Sequence, residues 1–431
     1  MSKHLRSLSY TPWNPGRWAV WGGFALLLIL APRLMSSGSV VSLLSLMGTT
    51  MIFALSYNML LGQSGMLSFG HAVYSGMGAF FAIHAINLAG NGVLPVPLTL
   101  VPLIGGLAGL LFGVLFGYVT TKRSGTTFSM ISLGIVELVF ACSLMFPGFF
   151  GGEGGVAGDR VFGQPLFGVT YGPQIQVYYL IAFWLFISTV AMFAISHTPL
   201  GRIANAVRDN PERAEFIGYD TQRVRYLMLI LSGFFAGISG ALTAINFEIV
   251  SAENVSAVRS GAVLLFTFIG GIGFFFGPLL GAIVGIFLTV MLSEFTKAWQ
   301  LYLGVFFILI VMYAPGGLAS LIMMNVRIAA QGHLRRILPT GLGVLAAGIF
   351  GLTGLVILIE MLYHLTLESA MGTDMTLFGQ QVDTAALWGW LTGGLLFLLG
   401  LFVFLMIRPR FVVAWDDVNA EIEKSIARGG R

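Results

Sequence analysis

Long, uninterrupted apolar runs constrain this chain more than any other feature. Of its 431 residues, 57% are hydrophobic and only 9% are charged, whereas about a quarter of the residues in soluble domains are charged. Apolar runs of about 18 residues or more predict transmembrane helices, and their continuity argues against the alternating strands of a membrane β-barrel. We therefore predict an all-α, polytopic integral membrane protein with about 10–12 transmembrane helices.

The apolar runs divide the chain into candidate spans. They cover residues 18–35, 39–61, 67–88, 96–121, 126–146, 176–197, 226–247, 261–275, 277–294, 299–315, 341–363 and 386–407. Cytoplasmic loops are enriched in Lys and Arg. When 261–294 is counted as a hairpin, the basic residues before the first span, at 122–123, in 198–225 and at 327–336 all fall on one side. Both termini are therefore predicted to be cytoplasmic.

Two segments are unusually polar or rich in glycine for membrane depth. The first contains Gly62, Gln63, Ser64, Gly65, Ser68, Gly70 and His71, and the second contains Gly270, Gly271, Gly273 and Gly277. Their similar glycine spacing suggests an internal repeat with broken or re-entrant helices. Because broken helices in two halves of a transporter indicate its substrate site, we predict that both segments line a substrate pathway. The ends of half-helices can bind the ammonium and the carboxylate of an amino acid.

Structural interpretations of the same residues stay open. The first segment could be a polar knot that joins two helices, with His71 bonded to a backbone carbonyl. Glu137, near the middle of the fifth span, is either a substrate contact or part of an inter-helix hydrogen bond. Glycines also recur every fourth residue, which predicts close helix packing. These two ladders are Gly105, Gly109, Gly113 and Gly117, and Gly273, Gly277, Gly281 and Gly285.

The stretch 198–225 is densely charged, with five Arg and four acidic residues among the chain's 40 charged residues. Asn210 is suited to cap a helix, Pro211 to occupy its first position and Gly218 to end it. We predict a short helix over 211–217 that docks on a soluble partner, and the alternative is a solvated connector. The predicted coupling residues are Arg208, Asp209, Asn210, Pro211, Glu212, Arg213, Ala214, Glu215 and Gly218.

The motifs of catalysis are missing from the sequence. It contains no phosphate-binding loop of the form GxxxxGK[ST], no HExxH and no GxSxG. Cys142 is the only cysteine, so we predict neither a disulfide nor a cysteine metal site. We expect no catalytic and no metal-binding residues, no nucleic-acid partner, and no cofactor in this chain.

Five sequence blocks, in order, resemble the membrane permeases of ABC importers for branched-chain amino acids, over roughly residues 40–322. They are SYNMLLGQSGMLSFGHAVYSGMGAF, TKRSGTTFSMISLGIVELV followed by GGEGGVAG, GRIANAVRDNPERAEFIGYD, FIGGIGFFFGPLLGA and YLGVFFILIVMYAPGGL. The third is similar to the family's cytoplasmic coupling loop. It also resembles a wider signature of ABC permeases, which is Glu-Ala-Ala followed after three residues by Gly. Here the signature is Glu212-Arg213-Ala214 and Gly218, with Arg213 in place of the first alanine.

The resemblance implies a bacterial inner-membrane importer that works by alternating access. Its partners would be two ATP-binding subunits that hold ATP and Mg²⁺, a paralogous permease subunit and a periplasmic substrate-binding protein. The residues themselves do not exclude a pair of identical permeases. Similar permeases handle branched-chain or other hydrophobic amino acids, urea and short amides, or small aromatic acids, so the substrate stays open.

The chain departs from the family after about residue 325. We divide it into a permease core (1–325), a basic cytoplasmic linker (326–340), an extra transmembrane hairpin (341–407) and a cytoplasmic tail (408–431). In the tail, Val418, Ile422 and Ile426 are spaced four apart. This stripe could lie on the membrane or touch an ATPase, but the interpretation we prefer is a solvated end. Glu360, near the outer end of the extra hairpin, is expected to reach water.

Three other functional classes compete with the importer. A secondary transporter or channel would need ionisable pairs within the membrane, and Glu137 stands almost alone there. A membrane scaffold or sensor has only the extra hairpin and tail in its favour. An intramembrane enzyme would need the nucleophile or metal motifs that the sequence lacks.

Overall fold

A computed structural model describes residues 15–34, 37–161, 169–330, 332, 334–367, 372–377 and 379–429, so parts of the predicted N-terminus, linker and tail lie outside it. In these residues nine helices are long and apolar enough to cross a membrane, and a bent pair would make a tenth. Two shorter apolar helices cover Trp18–Leu34 and Ala257–Gly270. The predicted all-α polytopic membrane protein is confirmed.

The chain forms two compact units, Met1–Phe287 and Leu288–Arg431. The helices of the first unit are α1 (Pro15–Leu34), α2 (Gly38–Asn58), α3 (His71–Gly90), α4 (Val101–Thr120), α5 (Thr126–Met145), α6 (Pro147–Phe150), α7 (Gln174–His197), α8 (Pro199–Asp209), α9 (Pro211–Phe216), α10 (Thr221–Phe247) and α11 (Ala257–Gly270). A π-helical turn, Met59–Gln63, extends α2. The helix α12 (Gly277–Phe295) runs from the first unit into the second.

The centre of the first unit is a close contact of α3, α4 and α10. The first glycine ladder lies along α4 and faces α10, as its spacing predicts. A Cβ atom added at Gly105 would lie 2.7 Å from the carbonyl oxygen of Gly237, and one added at Gly78 would lie 2.6 Å from the Cα atom of Gly237. Side chains at these positions would hold the backbones apart, so glycine permits the packing.

The second glycine ladder is shorter than its spacing predicts. Gly277, Gly281 and Gly285 lie on α12 and pack against α11, where Gly281 meets the backbone of Phe266 and Gly270. Gly273 precedes the helix, and a Cβ atom added there would meet nothing within 4 Å. The third predicted span also begins too early, because residues 67–70 are not helical and α3 starts at His71.

Hydroxyl groups connect α2 to its neighbours through the backbone. Ser239 and Ser232 of α10 donate to the carbonyl oxygens of Thr49 and Ser56, at 2.8 and 2.6 Å. At the start of α3, the amide of Ala72 donates to the Ser260 hydroxyl of α11 at 2.9 Å. In apolar surroundings such bonds hold helices together while satisfying every polar group involved.

One arginine fastens the loop that follows α6. The strands β1 (Val156–Ala157) and β2 (Ile249–Val250) pair antiparallel beside it. Arg160 lies 3.7 Å from the Glu248 carboxylate. It also donates to the carbonyl oxygens of Tyr171, Gly172, Ile245 and Asn246 and to the side chain of Gln174. A guanidinium with this many acceptors is a structural anchor.

The second unit contains a long helical hairpin. The helices of this unit are α13 (Trp299–Tyr313), α14 (Gly317–Ala330), α15 (Leu334–Leu367) and α16 (Leu387–Gly429). The hairpin consists of α15 and α16, and a bend of 50° separates α13 from α14. The strands β3 (Asp374–Leu377) and β4 (Gln380–Asp383) pair antiparallel between α15 and α16. Glu360 of α15 accepts hydrogen bonds from the hydroxyls of Thr296 and Tyr302, both at 2.7 Å. Its carboxylate therefore joins helices, whereas the sequence suggested only a side chain reaching water.

The prediction of a solvated tail is wrong for the part that the structure describes. The helix α16 continues to Gly429, and Val418 and Ile422 are buried against Ile328 and Ile337. Arg336 lies 3.4 Å from Glu421 across the same contact. The apolar stripe is therefore a packing surface, although the side chain of Ile426 lies outside the described set.

Candidate functional site

The two glycine-broken segments meet in the first unit. A Cβ atom added at Gly62 would lie 2.8 Å from the carbonyl oxygen of Ile272, which belongs to the turn between α11 and α12. Gly271 has a φ of 109°, a conformation that favours glycine. Gly270 packs on the backbone of Gly277, whereas a Cβ atom added at Gly273 would meet nothing within 4 Å. The structure thus brings Gly62 together with the second segment through backbone contacts.

The first segment is a turn in which backbone groups find unusual partners. After the π-helical turn, Gly65 adopts a φ of 70° and the chain stays non-helical to Gly70. The Tyr57 hydroxyl donates to the carbonyl oxygen of Ser68 at 2.9 Å. Two serines of α5 also bond to this segment. The Ser129 hydroxyl donates to the carbonyl oxygen of Leu67 at 2.7 Å, and the Ser132 hydroxyl accepts a bond from the amide of Phe69 at 3.0 Å. Irregular backbone at membrane depth needs such partners.

Several buried polar atoms around this segment have no hydrogen-bond partner within the described residues. They are Asn58 Oδ1, Gln63 Oε1, His71 Nδ1 and Ser75 Oγ. Ser64 differs, because its hydroxyl donates to the carbonyl oxygen of Leu60 at 2.6 Å. Buried polar groups are normally paired. Unpaired ones beside a glycine-broken turn are acceptors and donors that a passing polar ligand or water can use.

His71 is completely buried, but its contacts differ from the predicted bond to a backbone carbonyl. Its Nε2 lies 3.0 Å from the Ser56 hydroxyl, and its ring stacks on Phe53 with centroids 5.4 Å apart. The Tyr57 and Tyr74 rings contact it edge-on. His71 therefore joins α3 to α2 and keeps one ring nitrogen available.

Glu137 is not brought together with the other predicted pathway residues. The buried face of α5 carries Ser129, Ser132 and Val136 and packs toward the first segment, while Glu137 is exposed on another face of the helix. No ion pair or hydrogen bond of its carboxylate occurs within the described residues. A carboxylate within the membrane needs a partner, and the described residues leave this face uncovered.

The charged stretch 198–225 folds into two short helices with well-formed ends. Asn210 Oδ1 accepts a hydrogen bond from the amide of Arg213 at 2.9 Å, Pro211 occupies the first position and Gly218 has a φ of 91°. These are the cap, first residue and end that the sequence predicts. The helix α8 buries Gly201, Ala204 and Val207, and α9 buries only Ala214.

The charged residues of this region have different surroundings. Glu212 and Arg213 are exposed, as a docking role requires. The Glu215 carboxylate instead accepts a hydrogen bond from Thr221 at 2.7 Å, which ties α9 to the start of α10. Arg208 lies 2.9 Å from Asp209 and turns toward the first segment.

Arg208 connects the charged region to the glycine-broken turn. Its guanidinium donates to the carbonyl oxygen of Gly62, and its Cγ atom would lie 2.9 Å from a Cβ atom added at Gly65. Its Nε and Nη2 atoms both lie 2.9 Å from Oδ1 of Asp209, and this contact orients the guanidinium. Arg208 therefore links α8 to the backbone of Gly62, which lies next to Ile272.

Sequence reasoning missed two features of the site. The first is the exposure of Phe216 and Ile217 at the end of α9, which are 90% and 66% exposed. Their signal in the sequence was the presence of two large apolar residues in a highly charged segment. The second is Arg259 in the first turn of α11, a cation directly after a loop that the predicted topology places outside. That departure from the loop pattern was its signal.

Comparison with known proteins gives a consistent result. A family model described as branched-chain amino acid transport system, permease component, matches residues 39–315. The high-affinity branched-chain amino acid transport system permease protein LivM of Escherichia coli is 26% identical over 335 residues, covering 72% of this chain and 77% of its own length. The Salmonella typhimurium protein of the same name is 27% identical over 320 residues, covering 68% and 73%.

A second kind of relative also matches. The fructose import permease protein FrcC of Rhizobium meliloti is 26% identical over 215 residues, which cover 43% of this chain and 54% of its own. No solved structure matches.

Proposed function

The chain belongs to the family of branched-chain amino acid transport system permease components, and from that premise we propose that it imports branched-chain or related hydrophobic amino acids across a bacterial inner membrane. It is a transport subunit without an ATPase domain, and membership of this family implies ATPase and binding-protein partners in general. The specific assembly that we propose contains two ATP-binding subunits, a paralogous permease and a periplasmic binding protein.

The observation that carries the proposed mechanism is the bond from Arg208 to the carbonyl oxygen of Gly62. In this mechanism α9 docks on an ATP-binding subunit through Glu212, Arg213 and the exposed Phe216. Closure of the ATP-binding subunits moves α9 and α8 as one body, because Asn210 caps α9 at the end of α8. Arg208 then displaces the turn at Gly62 against Ile272, which opens or closes the pathway on the side of the charged loop.

The proposal assigns the charged loop and both termini to the cytoplasm, in agreement with the distribution of Lys and Arg. ATP and Mg²⁺ would be held by the partner subunits alone. A secondary transporter would leave the capped helix and its apolar end without a purpose. A fructose importer is the competing member of the importer class, because two relatives carry that name.

The test is purification of the tagged chain from native membranes in mild detergent, followed by reconstitution of whatever co-purifies. We expect an ATP-hydrolysing complex whose proteoliposomes, supplied with the binding protein, accumulate labelled leucine, isoleucine or valine only with ATP. Fructose, urea and benzoate serve as competitors and alternative substrates. A chain that purifies alone, or uptake without ATP, would refute the importer proposal, and uptake of fructose alone would refute the substrate class.

A further inference from the structure

Arg259 is a cation that the fold leaves nearly unpaired. Within the described residues, its guanidinium makes one hydrogen bond, a long one of 3.4 Å to the Thr243 hydroxyl, and lies 5.8 Å from the centre of the Phe53 ring. No carboxylate of the described residues lies within ion-pair distance of it. The residue is only partly exposed.

The surroundings of Arg259 are membrane-spanning helices. Phe53 lies fifteen residues into α2, and Thr243 lies one turn before the end of α10. The chain just before α11 also enters the helix bundle, because a Cβ atom added at Gly76 of α3 would lie 2.6 Å from the carbonyl oxygen of Asn254. A charge among membrane-spanning helices is energetically costly unless it is paired. No ion pair within the described residues offsets this cost.

Arg160 of the same unit shows how this fold satisfies a structural arginine. It has an ion pair with Glu248 and five further acceptors. Within the described residues, Arg259 has no ion pair and only the long bond to Thr243, so most donors of its guanidinium are available to a ligand. A guanidinium with free donors matches a carboxylate, which it binds through two parallel hydrogen bonds.

Phe53 connects Arg259 to the start of α3, whose groups complement the rest of an amino acid. Phe53, which lies beside the guanidinium, also stacks on His71 and supplies apolar surface. His71 Nδ1 and Ser75 Oγ, about one turn apart on α3, lack partners within the described residues. They are neutral polar groups of the kind that an ammonium group can use as acceptors. Thr243 in turn donates to the carbonyl oxygen of Ser239 at 2.9 Å, which fixes its hydroxyl beside Arg259.

We propose that Arg259 binds the carboxylate of the transported amino acid at a site formed with Phe53 and Thr243. This inference rests on the proposed function and deepens it. Phe53 precedes Gly62 by nine residues, so the site lies roughly 13 Å along α2 from the turn that Arg208 contacts. Substrate would meet Arg259 before it meets that turn. Because the guanidinium binds a carboxylate, the site would favour amino acids over fructose and urea, which carry no carboxylate.

The experiment compares Arg259→Gln and Arg259→Lys in the complete reconstituted complex. We expect Arg259→Gln to retain assembly and ATP hydrolysis stimulated by the loaded binding protein, while leucine uptake falls at least about tenfold. Arg259→Lys keeps the charge without the planar fork, so it should recover part of the uptake. A direct reading comes from phenylglyoxal, which modifies arginine. Leucine should protect Arg259 in the peptide map of the complex, and Arg202, which is exposed on α8, should be modified equally with and without leucine.

Matched outcomes separate the possible failures. Arg160→Gln is the control for a structural arginine, and it should reduce the yield of folded complex. If Arg259→Gln behaves like Arg160→Gln, or dissociates the paralogous permease, Arg259 is a structural or interface residue and the inference is overturned. Unchanged uptake in Arg259→Gln overturns it as well. If the unsubstituted complex transports no amino acid at all, the proposed function has failed instead.

Discussion

At the scale of single residues, Gly237 is a position at which helix packing leaves no space for a side chain. It contacts Gly105 of α4 and lies 2.6 Å from where a Cβ atom of Gly78 would stand. We expect Gly237→Val to separate α3, α4 and α10 and to destabilise the chain by about 1–3 kcal/mol. The measurement is the midpoint of thermal unfolding in detergent. Gly134→Val is the control, since a Cβ atom there meets nothing within 4 Å, and equal losses in both variants would contradict the packing argument.

Arg208 supports a second prediction at this scale. Arg208→Gln removes a charged donor from the carbonyl oxygen of Gly62, a bond worth about 1.5–3 kcal/mol. We expect the complex to assemble and hydrolyse ATP while amino acid uptake falls about tenfold, because movement of α8 no longer reaches the turn. Arg202→Gln is the control, since Arg202 is exposed on the same helix and should transport normally. Equal uptake by both variants would remove Arg208 from the mechanism.

The sequence predicted residues whose function depends on their own backbone. The spacing of Gly105, Gly109 and their neighbours was sufficient to indicate a packing face, and Asn210 was sufficient to indicate a cap. Arg208 and Arg259 could not be interpreted in the same way. Their roles depend on groups about 146 and 206 residues away in the chain, and only the fold brings those groups within reach.

At the scale of elements, α9 is a helix that presents apolar side chains to water. Phe216 is 90% exposed, and burying it in a partner contributes about 1.5–3 kcal/mol. We expect Phe216→Asp to weaken binding of the ATP-binding subunits by at least about tenfold, measured by co-purification at graded detergent dilution. Val93→Asp is the control, because it also replaces an exposed apolar side chain with a carboxylate but lies outside α9. This variant should leave the complex intact. Co-purification of Phe216→Asp at the unsubstituted level would exclude α9 as the docking element.

The ends of α9 were predictable because they depend on neighbouring residues in the sequence, while the exposure of Phe216 was not predictable. The cap of Asn210, the proline at position 211 and the positive φ of Gly218 each involve neighbours in sequence. The exposure of Phe216 depends on how α9 lies on α8 and α10, which bury Ala214 instead. The charged residues indicated a functional loop, but they do not all face outward. Glu215, for example, accepts a hydrogen bond from the Thr221 hydroxyl of α10.

At the scale of the whole molecule, the C-terminal region shows where helical periodicity alone is insufficient. Val418 and Ile422 form a stripe four residues apart, and the sequence contains no nearby partner for it. The partners, Ile328 and Ile337, lie 81 to 94 residues earlier on two other helices of the second unit. Since an isolated stripe fits a solvated helix equally well, the fold was needed to identify the packing.

The last prediction concerns this buried contact of α16. Val418 is fully buried, so Val418→Asp places an unpaired charge against Ile328 and Ile337 and should detach the end of the helix. We expect trypsin to cleave after Lys424 at least about tenfold faster in this variant than in the unsubstituted protein, because proteolysis follows the population of the detached form. Val413→Asp, on the exposed side of the same helix, is the control and should cleave at the original rate. Equal protection in all three proteins would mean that α16 is held by contacts other than this cluster, with the ion pair of Arg336 and Glu421 as the next to remove.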